Sequence, residues 1–124
     1  MFHAVRSLLV LTLVLAPATL LGQSASVEGT WKVDARTDTR GGPREVIIRA
    51  DSSATWGKET SRWRLKHDSI MVAIGGEWET YKLEVSRSRL TISGGDLQKP
   101  ITLKKVGPAT PRPDGVSVPP DPDA

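Results

Sequence analysis

The run SRWRLKHDSIMVAIGGEWETYKLEVSRSRLTIS, residues 61–93, decides the architecture. It holds three turn signals, His67-Asp68, Gly75-Gly76 and Arg87-Ser88, and between them apolar residues recur at every second position. Alternation of period two between short turns is the pattern of antiparallel β-hairpins. Each turn then tests the register of its neighbours. A two-residue turn at His67-Asp68 pairs Leu65 with Ile70 and Trp63 with Val72, and it leaves Arg64 opposite Met71 and Arg62 opposite Ala73 on the other face. The Gly75-Gly76 dipeptide suits positive φ and pairs Ile70 with Tyr81, Val72 with Glu79 and Ile74 with Glu77. A turn at Arg87-Ser88 pairs Val85 with Leu90 and Leu83 with Ile92, while Glu84 and Thr91 point outward together. All three turns agree on one inside face. A slip of one residue would turn every side chain over, so the agreement fixes the register.

Working outward, the same alternation marks eight strands at about 29–35, 44–50, 54–57, 61–66, 69–74, 77–85, 89–93 and 101–106. No helical period interrupts them, and the connections are mostly too short for crossovers, so neighbours pair antiparallel. The inward set is Trp31, Val33, Val46, Ile48, Trp56, Trp63, Leu65, Ile70, Val72, Tyr81, Leu83, Val85, Leu90, Ile92, Ile101 and Leu103. Eight strands close into a barrel whose interior just holds side chains or one small ligand. Closure also removes exposed edges. The expected fold is all-β: an eight-stranded antiparallel up-and-down meander over residues 27–107, closed into a small barrel.

The two ends differ in kind. Residues 1–26 read as a signal peptide, with His3 and Arg6 before the apolar run LLVLTLVL at 8–15, then Pro17 and small residues at Gly22, Ser24 and Ser26. Cleavage after any of those three small residues fits this layout. The apolar stretch falls short of the ~20 residues that span a bilayer, so the mature chain is expected to be exported, periplasmic or extracellular, without a stable membrane span. Residues 108–124, PATPRPDGVSVPPDPDA, carry proline at 108, 111, 113, 119, 120 and 122. Proline cannot donate to a ladder and biases its neighbours to extended backbone, so this tail is expected to be disordered or polyproline-like.

Charge narrows the partners. From Val27 to Gly107 there are 15 Lys and Arg against 11 Asp and Glu, a net of +4, whereas the tail nets −2. The signs are interspersed, which describes a solvated surface and not a nucleic-acid footprint. Cysteine is absent, so the fold rests on core packing without disulfides, and neither a thiol nucleophile nor a Cys/His metal cluster is available. His67 is the one histidine beyond the signal segment and sits in a turn. No nucleophile motif surrounds any serine, and no glycine-rich phosphate loop leads into a helix. The expectation is a binding protein without cofactor or metal, not an enzyme.

Gly29-Thr30-Trp31 on the first strand, the meander, and Lys104 and Lys105 on the last strand together resemble the calycin group of lipocalins, fatty-acid-binding proteins and avidins. The likeness extends in particular to the short lipocalin-like domains of bacterial exported proteins. It implies that Trp31 plugs one end of the barrel, with a basic side chain from Lys104 or Lys105 packed over its ring. The last-strand residue is Lys where Arg is commoner, and none of the avidin ligand residues has a match, so biotin binding does not carry over.

Strand order places the long connections 36–43 and 94–100 at the end opposite Trp31. The register sends Glu77 and Glu79 inward there, beside Trp56, Trp63 and Tyr81. Carboxylates next to indoles fit a wet mouth that receives a small, partly apolar ligand with a polar or cationic head. The alternative is an ordinary aromatic core, with a bulge near Trp78 returning both glutamates to solvent. A second candidate surface lies outside. Arg62, Arg64 and Lys66 form a basic row, and with Met71, Ala73 and Trp78 they make a patch suited to an envelope protein partner.

Overall fold

The structure is a computed structural model that describes residues 27–124; the signal segment expected at 1–26 lies outside the described residues. Eight strands follow one another: β1 (Gly29–Lys32), β2 (Glu45–Ile48), β3 (Ser53–Trp56), β4 (Glu59–Lys66), β5 (Ser69–Ile74), β6 (Glu77–Ser86), β7 (Arg89–Ser93) and β8 (Ile101–Gly107). Each pairs antiparallel with the next, and β8 returns to β1 to close the barrel.

The three hairpins hold the register that alternation dictates. Leu65 faces Ile70 and Trp63 faces Val72; Tyr81 faces Ile70 and Glu79 faces Val72; Leu83 faces Ile92 and Val85 faces Leu90. No bulge intervenes at Trp78, which pairs with Ala73. The turns take positive φ at His67 (57°) and Arg87 (54°), and at both Gly75 (62°) and Gly76 (82°). One pairing differs from expectation. The first half of β4 is committed to β3, so Arg62 lies opposite Ser53 and not Ala73, and β4 meets β5 only from Trp63 onward.

Every inward position read from the sequence joins a single core cluster. Trp31, Val46, Ile48, Trp56, Ile70, Val72, Tyr81, Leu90, Ile92, Ile101 and Leu103 are buried, and Val33, Trp63, Leu65, Leu83 and Val85 are partly buried against them. Full burial of each aliphatic side chain stabilises by about 1.5–3 kcal/mol.

One end is sealed by Trp31. Its ring is fully buried and its indole Nε1 donates to the carbonyl of Val27 at 3.0 Å. Lys105 continues the inward parity of Leu103, and its Nζ lies 5.9 Å from the Trp31 ring centroid, within cation–π range. Lys104 instead faces outward beside Arg89. The glycine before the tryptophan has a direct cause. A Cβ on Gly29 would stand 2.6 Å from Lys105 Cε and 3.2 Å from the carbonyl oxygen of Gly107, and its φ of 148° disfavours any other residue. Gly29 therefore lets the Lys105 stem cross to the indole.

Candidate functional site

At the opposite end, the long β1–β2 and β7–β8 connections fold toward each other. Gly42 backs onto Leu97 and Ile101 with no room for a side chain, and Leu97 packs on the core. What stays open is a depression of about 280 Å³ lined by Pro43, Trp56, Glu59, Ile74, Tyr81 and Asp96, among others. The barrel interior beneath is occupied by the core side chains, so this depression has an aromatic floor.

The floor is built by register. Trp56 on β3 and Tyr81 on β6 both point inward, and their rings stack at 5.3 Å between centroids and 24° between planes. The Tyr81 hydroxyl donates to Asp96 Oδ1 at 2.7 Å. Burial, then the bond to Asp96, then the charges of Asp96 and Glu79 push the Tyr81 phenol well above its ordinary range. Gly95 lies flat on Tyr81 and Glu79: a Cβ there would be 2.8 Å from Tyr81 Cε1 and 2.9 Å from Glu79 Oε1, at a φ of 56°. Only glycine brings the β7–β8 backbone close enough to carry Asp96 to the hydroxyl.

Of the expected mouth residues, Trp56, Glu79 and Tyr81 come together here. Glu77 keeps inward parity opposite Ile74 but lies exposed at the β5–β6 turn. Trp63 stands elsewhere. Its indole Nε1 donates to the carbonyl of Arg49 at 2.8 Å and its backbone N–H to that of Ser52. Both acceptors belong to the β2–β3 turn, so Trp63 sits toward the closed end, where it lines a shallow depression with Glu28 and Ser52. Parity alone decides inside from outside, not the height along the barrel axis. Asp96 and Gly95 lie outside the expected set, because paired glycines in a long connection are ordinary loop residues; the signal in the sequence is the acid directly after Gly94-Gly95.

The outer face carries a different arrangement. The tail after Gly107, expected to be disordered or polyproline-like, has no regular ladder but lies against the barrel instead of running free. Its carbonyls accept hydrogen bonds from barrel side chains: Pro108 from Thr30 Oγ1 at 2.8 Å, Thr110 from Arg49 Nε at 2.7 Å, and Pro119 from Arg62 Nε at 2.8 Å. Arg112 pairs with Asp51 at 2.9 Å, and Arg64 with Asp123 at 3.0 Å and Asp121 at 3.9 Å. The Arg64 guanidinium also stacks 4.2 Å over the Trp78 ring. Met71, paired with Arg64, is half-buried beside it. Proline sets an extended backbone with free carbonyls, and the basic row supplies the donors that hold it.

No family model, no curated protein and no solved structure matches this chain. The functional reading therefore rests on geometry.

Proposed function

We propose that the protein is an exported, lipocalin-like binding barrel that takes a small amphipathic molecule with a cationic or hydrogen-bond-donating head at its open end. The observation that carries this reading is the stacked Trp56–Tyr81 pair, flanked by the carboxylates of Asp96 and Glu79, at the base of the open depression. Aromatic faces and carboxylates together favour a cation through ring electrostatics and direct pairing. The packed interior confines the ligand to this floor, so it is small and sits at the rim instead of being swallowed. The apolar run at 8–15 and the small residues after Pro17 support export. Binding suits the site better than catalysis, because His67 stands on the β4–β5 turn at the sealed end, away from Asp96 and Tyr81.

The test is a titration of small amines bearing aryl or short alkyl groups, read by tryptophan fluorescence and by the thermal midpoint. Binding is expected to weaken in Trp56→Leu and Asp96→Asn and to persist in Trp63→Phe. A panel in which no amine shifts the midpoint, or equal binding by Trp56→Leu, would remove the open end as the site.

A further inference from the structure

The outer surface from β1 to β6 has a feature that the barrel alone does not explain. Ile47 and Arg49 are buried, as are Thr30 and Ala73, although alternation points all of them away from the barrel centre: Ile47 and Arg49 flank the inward Ile48. The tail crosses this face strand by strand, meeting Thr30 on β1, Arg49 just after β2, Asp51 in the β2–β3 turn, and Arg62 and Arg64 on β4. Along this path the barrel is almost wholly a donor and the tail an acceptor. Thr30, Arg49, Arg62 and Arg64 all donate; the reverse contact is Arg112 to Asp51.

Such a surface selects a chain rich in acceptors and poor in donors, and proline supplies this by removing its own N–H. The pair Asp121 and Asp123, two residues apart, brackets one guanidinium. Beneath that guanidinium the indole Nε1 of Trp78 is buried and has no hydrogen-bond partner among the described residues. The resident tail thus leaves one donor of the face unsatisfied.

We propose that this face is a recognition groove for extended, proline-rich acidic segments of another protein, and that the chain's own tail occupies it until such a segment competes. The two halves of the tail have different roles. Residues 108–112 clasp the buried Arg49 and stay in place. Residues 119–123 rest on one carbonyl bond from Arg62 and exposed ion pairs with Arg64, and they follow a turn at 113–116, closed by Val116 N–H on the carbonyl of Pro113, that lets them swing away. A competing segment that sets a carbonyl or carboxylate on Trp78 Nε1 gains a bond the tail does not make.

The experiment uses the full chain and a fluorescein-labelled peptide VSVPPDPDA, matching residues 116–124, followed by fluorescence polarisation. The unaltered chain binds it weakly, because its own tail competes. Asp121→Asn with Asp123→Asn in the chain weakens the resident and is expected to tighten peptide binding about 2- to 20-fold. Adding Arg64→Glu, or the milder Arg64→Gln if the charge reversal disturbs folding by circular dichroism, is expected to abolish that gain. A peptide with both aspartates changed to asparagine is expected to bind at least several-fold more weakly. Equal affinity for the unaltered and doubly substituted chains, or undiminished binding after Arg64→Gln, would overturn the proposal. Concentration-dependent dimers in sedimentation, with tails exchanged between copies, would overturn it in favour of a second copy as the occupant.

Discussion

Tyr81 is the one tyrosine of the chain, so its ionisation can be followed without another phenol intervening. Its ring is buried against Trp56 and its hydroxyl is tied to Asp96. Burial, the Asp96 bond and the charges of Asp96 and Glu79 all raise its pKa above the ordinary value of 10.0. The sign follows directly. The folded value lies above the unfolded one, so the associated stability is fully present below about pH 10 and is lost as pH rises further. Between pH 9 and pH 11 an unfolded tyrosine gains about 1.4 kcal/mol by ionising, which the folded chain does not share. Tyr81→Phe removes this term and leaves the lysine titrations common to both proteins. Urea unfolding should therefore show the advantage of the unaltered chain over Tyr81→Phe shrinking by about 1.4 kcal/mol from pH 9 to pH 11. At pH 7 the same substitution should cost about 1–2 kcal/mol for a bond to a charged but accessible acceptor. The direct readout is phenolate absorbance near 295 nm, which should stay silent until the barrel unfolds. A phenolate band with a midpoint near pH 10, in a chain whose circular dichroism is still native, would refute the reasoning. So would parallel loss of stability in the two proteins.

Three further outcomes are expected. Gly29→Ala should lower stability by about 2–3 kcal/mol, because the φ is unsuitable and the new methyl meets Lys105; in a Lys105→Ala background the loss should be smaller, which thermal unfolding of the four proteins measures. Arg49→Met should cost about 2–3 kcal/mol by removing the donors to Thr110, Ser53 and Thr55, which urea unfolding measures. Asp51 accepts from the Ser53 hydroxyl at 2.6 Å and its backbone N–H at 2.8 Å, and the hydroxyl bond leads in holding its pKa below the ordinary 3.8. Its folded value is depressed, so its contribution is present above about pH 4 and fades as pH falls through the folded value; the gap in thermal midpoint between the unaltered chain and Asp51→Asn should close on acidification.

The barrel was legible because alternation, turn residues and strand count are local properties that constrain one another. Leu83 and Ile92, or Leu65 and Ile70, find each other once a two-residue turn is set, and a wrong register would expose all four. The Trp31 plug was implied by the resemblance that Gly29-Thr30-Trp31 carries, and the inward parity of Leu103 distinguishes Lys105 from Lys104. The open end was legible only in part. Parity placed Trp56 and Tyr81 inward, yet it gave Trp63 no height along the axis, and the bonds to Arg49 and Ser52 show that it belongs nearer the sealed end. Asp96 was invisible because a loop residue reaches its partner through backbone geometry at Gly95, which has no period. Composition speaks to the tail's extended backbone but not to where it lies. Its composition denies it a core of its own, but Arg49, Arg62 and Arg64 offer donors to its carbonyls and carboxylates on a surface that already exists.

That last point bears on how the outer groove discriminates. A tethered segment competes at an effective concentration on the order of millimolar. A free segment of equal intrinsic affinity at micromolar concentration would hold the groove about one part in a thousand, a deficit of about 4 kcal/mol. Copying the tail is therefore insufficient for displacement. A hydrogen bond from the vacant Trp78 Nε1 to a carboxylate supplies about 1.5–3 kcal/mol of that deficit, and a further charge on Arg62, which now holds only a carbonyl, supplies most of the remainder. The groove then excludes generic proline-rich chains while admitting one whose acids reach both arginines and the indole. The same donors that fasten the tail thereby set the threshold a partner must exceed, so loosening Arg64 without changing the tail should lower selectivity and affinity together.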